Sequence, residues 1–105
     1  MTTIAPVPKS LRDLTSIKKC HESGFKYINR ALDADERGHP VLSLYWSGVA
    51  EFQRGLKINV EGEGEHQSKA RKLQEKMKRG VENIEQRMRE IRLKDSAEKA
   101  RVTKV

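Results

Sequence analysis

The chain has 105 residues, with 22 Lys+Arg against 15 Asp+Glu for a net charge of +7; apolar and charged residues each make up 35%. That length suits one small domain with a modest core, burying roughly 65% of its unfolded surface, and leaves little room for a large enclosed active site. No apolar run nears the roughly 20 residues of a membrane-spanning helix, no leader segment is expected, and the single cysteine, Cys20, has no partner for an internal disulfide, as in a reducing compartment.

Residues 1–9 hold two prolines and no periodicity, and the reading there is a disordered lead-in. Ser10 with Asp13 resembles a capping pair. The apolar positions that follow, Leu11, Leu14, Ile17, His21, Phe25, Ile28 and Leu32, fall on one helical stripe, which predicts a first helix from about Ser10 to Ala34. The segment from Asp33 to Pro40 breaks the pattern: Gly38 suits a turn, and Pro40 suits the first turn of a second helix. The second stripe is Val41, Leu42, Tyr45, Val49, Phe52 and Leu56. Gly48 and Gly55 share one flank of it, which predicts close approach of a neighbouring backbone; Trp46 lies on the other flank and is assigned a packing role. The acidic loop Glu61-Gly62-Glu63-Gly64-Glu65 ends that helix, and its carboxylates suit the positive end of the next helix dipole. The third stripe, Ala70, Leu73, Met77, Val81, Ile84, Met88 and Ile91, is a narrow seam of seven turns.

Three amphipathic helices on short loops predict an all-α, antiparallel three-helix bundle over residues 10–94, with residues 95–105 as a charged tail or helix extension. Shallow grooves between helices are expected on its outside.

Charge is unevenly placed. Residues 1–68 carry 9 basic and 9 acidic side chains, and residues 69–105 carry 13 basic and 6 acidic, so the whole +7 sits in the last third. This favours acidic partners without choosing among them, and a merely solvated helix face accounts for it equally well. On the third helix Lys69, Lys76, Arg87 and Lys94 fall to one side of the seam near Gly80, as a basic ridge. Arg71, Lys78, Arg89 and Arg92 occupy the other side.

No chemistry of catalysis is visible. There is no nucleotide-cradling glycine loop, His21, His39 and His66 lack zinc spacing, and Cys20 and His21 point about 100° apart on a helix. Glu61, Glu63 and Glu65 read as a flexible capping loop. No enzyme, cofactor or metal is expected. His21 and Phe25, one turn apart near the middle of the first stripe, suit either the core or a groove wall.

Three segments carry a family resemblance. His21 through Leu32, the run Leu44-Tyr45-Trp46-Ser47-Gly48-Val49 with Arg54-Gly55-Leu56, and Ala70-Arg71-Lys72-Leu73-Gln74-Glu75-Lys76-Met77 resemble, in order, the three helices of MIT (microtubule-interacting and trafficking) domains. The Gly62–Glu65 loop is similar to that of spastin-like members, and Asp35-Glu36-Arg37-Gly38 to that of spartin-like ones. The resemblance covers about residues 11–93. It implies a monomeric, non-catalytic module that binds C-terminal tails of ESCRT-III subunits (charged multivesicular body proteins) between the first and third helices, in the cytoplasm, at endosomes or the midbody. The family positions matching His21 and Phe25 contact the peptide, and the one matching Gly80 faces the same groove. Glycine at 80 and tryptophan at 46 depart from the family pattern. With Lys76 and Arg87 from the basic ridge, the expected peptide site is His21, Phe25, Lys76, Gly80 and Arg87. The alternative is a basic module for polyanions, microtubule acidic tails ahead of RNA; a third reading is self-association along the third seam.

Overall fold

A computed structural model describes residues 7–102, with side-chain surroundings up to residue 96. It contains three helices, α1 (Lys9–Glu36), α2 (Leu42–Leu56) and α3 (Glu65–Val102). No strand occurs among the described residues. The expected all-α three-helix bundle is the fold. Lys9 at the start of α1 reaches the Asn59 carbonyl beyond the end of α2, and Asp35 near the end of α1 meets Tyr45 in the first turn of α2. Successive helices are therefore antiparallel, and α1 and α3 run in the same direction. The lead-in expected at the N-terminus falls, for residues 1–6, outside the described residues, as do residues 103–105 at the other end.

The helix ends differ in detail from the sequence expectation. α1 starts at Lys9, so Ser10 already lies inside the first turn and its hydroxyl does not cap. The Pro8 carbonyl accepts the Leu11 and Arg12 N–H groups at 3.1 Å each, the Ser10 hydroxyl faces His66 Nδ1 at 3.5 Å, and Asp13 pairs with Lys9 at 3.0 Å. Pro40 is not in the first turn of α2. Val41 precedes that helix with φ −130° and ψ −9°, and its side chain is drawn into the core, so the helix starts at Leu42. Gly38 makes the turn as expected, at φ +73°, a conformation that side chains with a Cβ disfavour. After α2 the Gln74 amide of α3 donates to the carbonyls of Gly55 and Ile58 at 3.1 and 2.8 Å, tying α3 to the end of α2; the Gly55 carbonyl also accepts the Ile58 N–H at 3.3 Å. Glu65 opens α3 and pairs with Lys69 at 3.2 Å.

The core draws on all three stripes. Leu14, Ile17, Ile28 and Ala31 of α1 meet Tyr45, Val49 and Phe52 of α2 and Ala70, Met77, Val81, Ile84 and Met88 of α3. The α1 stripe departs from the expected one: Gly24 and Ala31 occupy inner positions, whereas Phe25 and Leu32 lie outside the core. Small residues there let α2 approach. A methyl group placed on Gly48 would stand 3.2 Å from the Gly24 carbonyl oxygen, so this glycine does face a neighbouring backbone. Gly55 instead meets the side chains of Met77 and Cys20.

Trp46 does not take the packing role assigned to it. It is 52% exposed, because α1 and α3 cover the Tyr45–Phe52 side of α2 and neither reaches the opposite flank.

A Cβ at Gly24 would lie 2.5 Å from Cδ1 of the Phe52 ring and 3.1 Å from the Gly48 carbonyl oxygen. Alanine at an ordinary helix position gains up to ~1 kcal/mol over glycine. Here the overpacking, typically about 1–3 kcal/mol, opposes that gain. Gly24→Ala is therefore expected to lower the unfolding free energy in urea; an increase contradicts the close-approach account.

Candidate functional site

The parallel arrangement of α1 and α3 leaves a solvent-open trough between them, with a volume of about 490 Å³. His21, Phe25, Ile28, Leu32 and Asp35 form the α1 wall, five positions spaced three or four residues apart. Lys76, Gly80, Asn83, Ile84 and Arg87 form the α3 wall. Tyr45 and Phe52 of α2 form the floor. From His21 to Asp35 the trough follows α1 for about 21 Å at the helical rise, room for a partner helix of about four turns.

Its aromatic side is a ladder of rings. Phe25 is 51% exposed and stacks on the half-buried His21, at 5.9 Å between ring centres and 19° between planes. His21 stacks in turn on the buried Phe52, at 5.6 Å and 9°. The imidazole serves as a flat spacer between a ring in solvent and a ring in the core. Gly80 opposes this ladder from α3, and a Cβ there would lie 2.9 Å from Phe52 Cε2. Glycine at 80 therefore has a steric reason: the Phe52 ring takes up the space where a side chain would begin.

One end of the trough is closed by a polar clasp that joins all three helices. Arg87 Nε and Nη2 donate to the two Asp35 oxygens at 2.7 Å each, and the Tyr45 hydroxyl donates to the same carboxylate at 2.8 Å. Arg87 also donates to Glu90 at 3.3 Å. The Arg87 hydrogen bond holds the Asp35 carboxyl below the usual carboxylate range, with burial opposing and the Tyr45 hydroxyl adding to it. Burial, reinforced by the Asp35 charge, pushes the Tyr45 phenol up to about 12. The same Asp35 bond raises Arg87.

All five sequence-selected residues, His21, Phe25, Lys76, Gly80 and Arg87, line this one trough. The charge expected of the basic ridge is not all available, however. Arg87 is engaged by Asp35 and Glu90, and Lys69 by Glu65. Sequence reasoning left out Leu32, Ile28, Asn83, Ile84 and the floor residues as site members, having placed Leu32, Ile28, Phe52 and Tyr45 in the core. It read Asp35 only as part of a turn. A strict α1–α3 register was the missing signal, since no local motif links position 35 to position 87. Cys20 is half-buried against the core. Among the described residues no group of three His, Cys, Asp or Glu side chains is placed to hold a metal ion, and no helix is long and apolar enough to cross a membrane.

No family model matches the chain. Curated relatives do. The chain is 38% identical over 77 residues to spastin of Danio rerio, covering 70% of this chain and 14% of that protein. It is 35% identical over 85 residues to spastin of Nematostella vectensis, covering 75% of this chain and 14% of that protein, and 36% identical over 66 residues to spastin of Rattus norvegicus, covering 59% and 11%. The chain thus spans about one seventh of the first two relatives' length.

The clasp makes stability depend on pH at both extremes. The folded Asp35 value lies below its ordinary 3.8, so its contribution is complete above that pH and is lost as pH falls through the folded value. The stability difference between the natural chain and Asp35→Asn, measured by urea unfolding, is expected to hold steady near neutrality and to shrink below about pH 4. Tyr45 works in the opposite direction: its folded value lies above 10.0, so its contribution is complete below that pH and is lost as pH rises toward about 12. An NMR titration of the Tyr45 ring is expected to turn near 12 in the natural chain. It should turn at lower pH in Asp35→Asn without reaching the ordinary value, because burial is the larger cause.

Proposed function

The chain belongs to the MIT domain family, on its spastin-like side, and from that premise we propose that it is a non-catalytic interaction module whose α1–α3 trough binds C-terminal tails of ESCRT-III subunits. The single observation that carries this reading is the solvent-open trough itself, where the Phe25 ring is 51% exposed on one wall and Phe52 forms the floor. A half-exposed ring stacked on an inner one is a surface prepared for an apolar partner, and the length and shape of the trough suit a helix laid into it. In this reading His21 and Phe25 meet the apolar face of the peptide, Gly80 lets it lie close to α3, Lys76 borders its polar side, and Arg87 borders it at the far end of the trough. The module acts as a monomer in the cytoplasm and brings the protein that carries it to endosomes or the midbody.

A groove of this size supports weak to moderate affinity, on the order of 1–100 μM, or about 5–8 kcal/mol. Titration of the 15N-labelled domain with ESCRT-III tail peptides is expected to shift resonances of trough residues in that range, and Phe25→Asp is expected to abolish the shifts. A full set of tail peptides that leaves the spectrum unchanged refutes the reading.

The 13 basic against 6 acidic side chains of residues 69–105 favour a second reading, a binder of polyanions such as microtubule acidic tails. Sedimentation with microtubules at two salt concentrations separates the two. Polyanion binding is expected to fall steeply with salt and to ignore Phe25→Asp, whereas trough binding depends on Phe25 and only weakly on salt.

A further inference from the structure

The trough is electrically asymmetric. At its His21 end, Lys76 has no ion-pair partner among the described residues. About 16 Å further along α3 at the helical rise, Arg87 is matched on three of its donors, twice by Asp35 at 2.7 Å and once by Glu90 at 3.3 Å. The two short parallel bonds to Asp35 are the strongest arrangement a carboxylate offers a guanidinium. The Asp35 side chain is only 17% exposed and also accepts the Tyr45 hydroxyl. A partner carboxylate arriving at Arg87 therefore meets a cation that is already neutralised, with Glu90 adding a further negative charge beside it. Displacing Asp35 would strand a largely desolvated carboxylate on a single hydroxyl, an unfavourable exchange.

We infer that Asp35 is a specificity-determining residue that masks Arg87 from the partner, so the trough takes an amphipathic helix whose carboxylate lies at the Lys76 end and whose opposite end is uncharged. The inference rests on the peptide-binding reading of the α1–α3 trough. It adds that the partner's charge is read at one end only. Arg87 borders the bound helix with its hydrocarbon stem, and its charge stays within the domain.

The test uses an ESCRT-III tail peptide that shifts the Phe25 resonance, together with two derivatives carrying one added Glu, at the first or at the last turn of the helix. The natural domain is expected to gain roughly two- to fivefold in affinity from one derivative and to be indifferent to the other, the range expected of a single exposed ion pair. Lys76→Gln should remove the gain. Asp35→Asn, which keeps an acceptor for Tyr45, should gain from both derivatives, and Asp35→Asn with Arg87→Gln should return to one. Arg87→Gln leaves the Asp35 carboxylate unpaired beside the trough, so it should keep the gain at the Lys76 end and weaken binding of the derivative whose Glu lies at the Asp35 end. Equal gains from both derivatives in the natural domain overturn the inference, as does loss of the gain in Arg87→Gln. If Asp35→Asn fails to fold, the Lys76→Gln and Arg87→Gln comparisons still decide. Binding with the wrong pattern overturns the masking alone, whereas no binding of any tail peptide overturns the trough reading and the masking with it.

Discussion

The Phe52 ring sits between the backbones of α1 and α3, at Gly24 on one side and Gly80 on the other. A Cβ at either glycine would fall within 3 Å of the ring. The geometry of the trough follows from this wedge. The ring meets the two helices with its opposite edges and holds them apart by its own width, so a furrow remains above its face instead of a closed interface. Its upper face supports His21, which supports Phe25, and a residue of the core is thereby joined by stacked rings to one in solvent. Larger side chains at 24 or 80 would force the ring or the helices to move, because packed interiors have little free volume to absorb them. Helix propensity argues against glycine at both positions by up to ~1 kcal/mol each, and steric fit to the ring outweighs it.

The polar clasp complements the wedge at the far end of the trough. Phe52 sets the spacing of α1 and α3 through apolar contact; Asp35, Arg87 and Tyr45 tie the same helices together through directional bonds. Directional bonds specify register in a way that apolar contact does not, since a shift of one residue along either helix would break both short Arg87 bonds. Leu32, Ile28 and Ile84 lie between these two fixed points. The trough is therefore apolar along its length and polar at its ends, the pattern of a binding groove built on rigid helices.

Trp46 and Phe25 show why single-residue apolarity did not decide location. Both are large, and both lie on helices with clear stripes. Trp46 is exposed because the third helix packs elsewhere on α2, and Phe25 because α3 stands off from α1 at the wedge. Ala31 and Gly24, which carry little hydrophobic signal, hold inner positions because they permit close approach. Periodicity locates the apolar side of a helix to within about a quarter turn; what covers each part of that side depends on the neighbours.

The amino-acid pattern by itself determined three helices, their order, the antiparallel turns at Gly38 and the acidic loop, and the seam of α3, because each is written locally in 3.6-residue periodicity and in glycine and proline punctuation. It also picked out His21, Phe25, Lys76, Gly80 and Arg87, the first two and Gly80 through family likeness, and all five share one trough. Only the tertiary structure decided that Phe52 is the floor of that trough, that Leu32 lines its wall, and that the Arg87 charge is held by Asp35 across 52 positions of sequence. Such pairings depend on the axial offset of two parallel helices. That offset is set by the packing of small and large side chains from all three elements at once, and no local stretch of sequence encodes it.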